Sequence, residues 1–146
     1  MAVTLTRFLV VALLSLESCG SSSLAGTYVA TGTGQYRLAG GGDTATFSIP
    51  DDTFVVSETA RHYQYYEYSL SVRGCSVRAE GDAKSASTRG GDSTCTFDIP
   101  SVGRVSVQVS GGVSREPDAR AHLSLSGTSR DSKLESFGYS IHGKPR

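Results

Sequence analysis

The run Val105-Ser106-Val107-Gln108-Val109-Ser110 alternates an apolar β-branched residue with a small or polar one. A period of two places Val105, Val107 and Val109 on one face of a strand and Ser106, Gln108 and Ser110 on the other, so one face is dry and one is wet. The same alternation fills 44–49, where Ala45, Phe47 and Ile49 oppose Thr44, Thr46 and Ser48. Working outward from these two runs, similar short stretches occur at 26–31, 35–39, 53–59, 63–74, 76–81, 93–98, 120–127 and 136–142. They are rich in Val, Thr, Tyr and Phe and are divided by Gly, Asp, Ser and Pro, while no helical periodicity is sustained. The pattern predicts an all-β domain of about eight to ten short strands, an antiparallel β-sandwich or a small closed β-barrel. Turns are expected at Gly32-Thr33-Gly34, at Gly40-Gly41-Gly42-Asp43 and around Pro50-Asp51-Asp52.

An internal echo accompanies the alternation. Thr44-Ala45-Thr46-Phe47-Ser48-Ile49-Pro50 returns as Thr94-Cys95-Thr96-Phe97-Asp98-Ile99-Pro100, and Leu70-Ser71-Val72-Arg73-Gly74 is loosely matched by Leu123-Ser124-Leu125-Ser126-Gly127. The echo reads as a duplicated β-unit, with the chance recurrence of common strand residues as the alternative. It also puts Cys95 in phase with Phe97 and Ile99, and Cys75 falls in phase with Val77 and Ala79. Two cysteines on dry faces of an exported chain predict a Cys75–Cys95 disulfide.

Export is read from the N-terminus. The single cation Arg7 precedes the uncharged apolar run from Phe8 to Leu16, which is too short to span a bilayer as a helix but has the length of the apolar centre of an export signal. Leu16-Glu17-Ser18-Cys19 resembles the lipobox of bacterial lipoproteins, with Leu16 and the small Ser18 at the matching places and Glu17 where that family usually has a small or β-branched uncharged residue. The resemblance implies cleavage before Cys19, acylation of that cysteine and, with Gly20 rather than Asp following it, an outer-membrane address in a Gram-negative host. A second route is an ordinary signal cut after Ser23-Leu24-Ala25, which would give a soluble periplasmic or secreted protein. The organisation expected is an export signal over 1–18, a Gly/Ser tether over 19–25 and a single β-domain over 26–146.

Composition narrows the function classes. Acids and bases number 14 each, so nothing steers the chain toward nucleic acid. The sequence holds no Trp and no Asn, which removes N-linked glycosylation. Arg outnumbers Lys 11 to 3, the bias of a GC-rich bacterial genome. Serines are plentiful, yet none lies in a Gly-x-Ser-x-Gly elbow, and Asp51-Asp52 reads as a soluble turn. An envelope hydrolase is therefore the least supported class, no cofactor is expected, and the protein is read as non-enzymatic.

Two residue sets remain. In Tyr63-Gln64-Tyr65-Tyr66-Glu67-Tyr68, phase puts Tyr66 and Tyr68 inward with Leu70 and Val72, and Tyr63 and Tyr65 outward as a candidate binding surface. His62, His122 and His142 are read as surface residues. His122 and His142 point outward on adjacent strands and oppose one another only in one of several allowed registers, and without a third ligand they make a poor metal site. The reading is an exported, lipid-anchored envelope protein that acts as a binding or structural module, with the membrane as one partner and an envelope protein or glycan as another. Gly26-Thr27-Tyr28 resembles the Gly-x-aromatic start of lipocalin-like barrels, usually Trp where this chain has Tyr28. That resemblance implies the alternative function, a carrier of a small apolar ligand in a barrel cavity.

Overall fold

The computed structural model describes residues 23–89 and 93–146. Nine strands follow one another: β1 Gly26–Leu38, β2 Ala45–Arg61, β3 Tyr66–Val72, β4 Cys75–Gly81, β5 Ser85–Thr88, β6 Ser93–Ile99, β7 Gly103–Arg115, β8 Ala121–Ser129 and β9 Leu134–Pro145. All pairings are antiparallel. Each strand lies beside its sequence neighbour except at β5 and β6, and β1 pairs with β9, which turns the meander into a ring. The seam runs along β7. Its first half, Gly103 to Val109, pairs with β6, and its second half, Gly112 to Ser114, pairs with β5. Because β5 and β6 run in one direction along the same edge of β7, they occupy one strand position, and the nine strands close as eight. An eight-position ring has an interior just wide enough for side chains to fill.

The seam is fastened twice. At one end β5 bridges β4 and β7, through Ala79–Gly81 on one side and Gly112–Ser114 on the other. Toward the other end the short β5 ladder has run out, and a disulfide joins Cys75 at the start of β4 to Cys95 in β6, with Cα atoms 5.2 Å apart. Both cysteines are buried, as their phase required.

The two expected breaks in β1 and β2 are absent, and the reasons are local. Gly32-Thr33-Gly34 lies inside β1. A Cβ on Gly32 would drive into the Ser140 carbonyl of β9, and the Phe47 ring covers Gly34, so these glycines allow close approach rather than a turn. Pro50-Asp51-Asp52 is likewise no turn. Ala30 pairs with Asp52 and Gly32 with Ile49, so Pro50 and Asp51 together oppose the single residue Thr31 in a β-bulge. A bulge tolerates the missing N–H of a proline, and its extra residue reverses the phase of the strand. Inward positions are accordingly odd at Phe47 and Ile49 but even at Phe54 and Val56. Strand β5 escaped the sequence reading because Ser85-Ala86-Ser87-Thr88 carries one apolar residue. The sequence echo does not extend to topology, since β2 and β3 are neighbours whereas β6 and β8 flank β7.

Side chains of every strand meet inside the ring. Val105, Val107 and Val109 of β7, Leu123 and Leu125 of β8 and Phe137, Tyr139 and Ile141 of β9 are all at most 3% exposed, and Phe54, Leu70, Val77 and Phe97 face them. The rings of Phe97 and Phe137 lie 4.5 Å apart, and those of Tyr28 and Phe54 stack at 4.8 Å. Ser23 to Ala25, expected as the end of a flexible tether, instead belong to the domain. Leu24 is 0% exposed. Its carbonyl accepts a 2.8 Å hydrogen bond from the Tyr28 hydroxyl, and Ser23 donates to Glu58 at 2.8 Å. Leu24 thus belongs to the core at the end where β1 begins, an apolar side chain gaining more from burial than from hydration.

Candidate functional site at the N-terminal end of the barrel

Strands alternate in direction, so one end of the barrel gathers the segment before β1, the β2–β3 turn, the β7–β8 connection and the last residues of β9. The surface features that chemistry can use converge there.

The β2–β3 turn carries the tyrosines. Arg61 at the end of β2 pairs with Tyr66 at the start of β3, which leaves 62–65 as the whole connection. Tyr63 and Tyr65 are therefore turn residues, not the outer face of a strand beginning at residue 63. Their strand propensity has no partner to act on, since only the turn itself lies opposite them. The His62 N–H donates to the Tyr65 carbonyl at 2.8 Å, and the His62 and Tyr65 rings stack with centroids 4.3 Å apart. Tyr65 is 40% exposed and Tyr63 100% exposed. At the base of the turn the Arg61 guanidinium lies 4.4 Å from the centre of the Tyr66 ring and donates to Glu58 at 2.7 Å. The Arg61 and Ser23 donors together hold the Glu58 carboxyl below the usual carboxylate range. The inward pair behaves as its phase required: Tyr68 is buried, with its hydroxyl donating to the Asp82 carbonyl at 2.8 Å, and Tyr66 packs partly against the core.

The second group lies on the outer face of β8 and β9. The inner face fixes Leu123 opposite Ile141 and Leu125 opposite Tyr139, and the same register sets His122 directly against His142. Their rings stack at 4.3 Å with 5° between planes. A carboxylate, Glu116, also reaches this pair. It stands between β7 and β8 just before a single 3-10 turn, Pro117–Ala119, and its N–H donates to the Arg120 carbonyl at 2.8 Å. Asp118 and Ala119 have φ of 65° and 59°, a left-handed region that costs a non-glycine residue on the order of 1 kcal/mol. Glu116 itself is extended and directly follows β7, and its Oε1 lies 2.8 Å from His142 Nδ1. His122 Nε2 is 2.8 Å from the Ser140 hydroxyl. Burial, and then the neighbouring His142, pushes the His122 imidazole below its ordinary range and favours the neutral ring. One ligand atom from each of Glu116, His122 and His142 lies within 4.8 Å of the others. No spacing signal in Glu116-Pro117 announces this, because Glu116 at the end of β7 meets His142 only through the spatial order β7-β8-β9.

A third polar group is structural. Past the β2 bulge Asp52 turns inward, where its carboxylate accepts from the buried Tyr139 hydroxyl and from Arg73 Nε at 2.6 Å. Burial and the Asp52 charge push the Tyr139 hydroxyl well above the usual phenol range, so it remains a donor. Asp52 therefore does not lie in the solvated turn that Pro50-Asp51-Asp52 suggests. A surface hollow of about 810 Å³ over β3, β4 and β5 is lined by Glu67, Arg78, Glu80 and Arg89 with several serines and threonines, a polar surface. Cys19, the expected lipidation site, lies outside the described residues. Comparison of the chain with family models, with curated proteins and with solved structures finds no match.

Proposed function

We propose that this chain is an exported, lipid-anchored, non-catalytic binding module of a bacterial cell envelope, held to the membrane through Cys19 and meeting its partner through the tip that bears Tyr63 and Tyr65. The observation that carries the proposal is the burial of Leu24. Of the two processing routes the sequence allows, a cut after Ala25 would remove a fully buried core residue, whereas a cut before Cys19 keeps it. Ser23 hydrogen-bonds Glu58, so from Cys19 the barrel is only a few residues away, about 3.5 Å each at full extension. The tyrosine tip belongs to that same end, which favours a partner met close to the membrane surface. Rigid aromatic rings contribute contact area at low entropic cost, and Tyr63 is free of intramolecular packing.

The eight-position ring also supports the carrier reading, since closed barrels of that size can hold one small molecule. The inward positions are filled by Phe, Tyr, Leu, Ile and Val, and an apolar guest would have to displace them, so the binding module is preferred. Two experiments test it. Replacing Cys19 by Ser should move the protein out of the membrane fraction; retention there at the normal mature mass would contradict anchoring. Replacing Tyr63 and Tyr65 together by Ser should abolish capture of the envelope component that co-purifies with the unaltered protein, and undiminished capture would remove the tip as the binding surface.

A further inference from the structure

We propose that Glu116, His122 and His142 form a binding site for one divalent transition-metal ion of the zinc class on the outer wall of the barrel. The site is independent of the tyrosine tip and of membrane anchoring. Its first element is the opposed histidine pair. Directly opposed residues of an antiparallel ladder bring their Cβ atoms to about 5 Å, and here the ladder is fixed by the inner face, where Leu123 meets Ile141. A one-residue slip would expose that inner set, so the core that closes the barrel also holds the two imidazoles together.

The second element is the carboxylate. Glu116 opens the β7–β8 connection directly after Arg115, and its carboxylate crosses β8 to place Oε1 2.8 Å from His142 Nδ1 on β9. The third element is orientation. A metal-bound imidazole usually hydrogen-bonds through its other nitrogen, and with His122 coordinating through Nδ1, Ser140, 2.8 Å from Nε2, would hold the free nitrogen.

The donor set selects the ion. Calcium and magnesium take all-oxygen shells, whereas two imidazoles and one carboxylate suit zinc and its first-row neighbours, which bind nitrogen and oxygen at about 2.0–2.2 Å. Ligand atoms around such an ion lie about 3.4 Å apart in tetrahedral geometry. The three atoms are now within 4.8 Å of one another, so capture requires turning the imidazoles about Cβ–Cγ and exchanging the ring stack for coordination. Side chains of His142 and Glu116 are 40% and 27% exposed, which leaves room for that rotation and a solvent-facing coordination position for water or a partner's donor.

The probe is zinc chloride alone, titrated into the purified protein and followed by calorimetry and by the imidazole C–H resonances. One equivalent of zinc should bind saturably and shift the His122 and His142 signals together, with His62 unmoved and with no response to magnesium. Each of His122→Asn and His142→Asn should weaken binding roughly tenfold or more, Glu116→Gln by several-fold, and Glu135→Gln, on β9 but paired with Arg37, should leave it unchanged. These positions are on the outer face, and thermal melts will show whether the variants fold; if one does not, the paired resonance shifts of the unaltered protein decide alone. Binding weaker than about 1 mM, shifts that spare either histidine, or affinity retained in both folded histidine variants would overturn the proposal.

Discussion

Tyr68 and Tyr63 belong to one hairpin, yet Tyr68 is 1% exposed with its hydroxyl bonded to the Asp82 carbonyl, while Tyr63 is 100% exposed. The difference lies in what each position opposes. Tyr68 pairs with Glu58 on one side and Ala79 on the other, so the ring of strands dictates an apolar, space-filling side chain there. Tyr63 opposes nothing but the turn it makes. A barrel wall constrains its inward residues through packing on every side, whereas a hairpin tip constrains only its backbone. The aromatic ring kept at the tip is thus the one whose presence packing does not explain, and exposed aromatics are the currency of recognition.

The sharpest way to break this comparison is to remove the inward ring. Tyr68→Ser should cost about 4 kcal/mol, the scale of a large buried side chain lost with its cavity, and should leave the Asp82 carbonyl short of a donor. Thermal and denaturant melts would register it as a large fall in midpoint. A loss under about 1 kcal/mol would mean that the ring is not the closed, packed structure described.

A somewhat smaller effect should come from the seam. Replacing Cys75 and Cys95 by Ser frees a loop with a sequence separation of 20 and should cost about 3 kcal/mol in the chain-entropy account. The loss should be local as well as global. Amide exchange should rise first in β6, whose attachment to β4 is the disulfide, and last across β1 and β9, which pair along nearly their whole length. Uniform loss of protection would show that the ring opens as one unit.

The smallest effect belongs to the tip. Tyr63→Ser with Tyr65→Ser should change stability by under about 1 kcal/mol, as exposed positions usually do, while removing partner capture. Destabilisation equal to that of Tyr68→Ser would erase the distinction between wall and tip.

Much of the wall was legible in the sequence because alternation and burial report the same thing. Val105, Val107, Val109, Leu123, Leu125 and Ile141 were placed inward from phase alone, and the pairing of Cys75 with Cys95 followed from parity and phase. What alternation does not reveal is where a strand changes phase. At Pro50 and Asp51 the chain resembles a turn, and only the opposing strand shows that it is a bulge inside one long β2. Tyr63 misleads for the converse reason: its residue type fits a strand, but a strand needs a partner, and none pairs with it. The histidine pair was half legible. Parity allows His122 to oppose His142, the apolar inner face selects that register, and Glu116 joins them from the end of β7 through a strand order that residue identities do not announce.

The most direct measurement of the account is the intact mass and N-terminal sequence of the mature protein isolated from its host membranes. The expected result is a chain that begins at an acylated Cys19 and retains Leu24, a fully buried core residue. A soluble, unmodified chain beginning at Gly26 would contradict it.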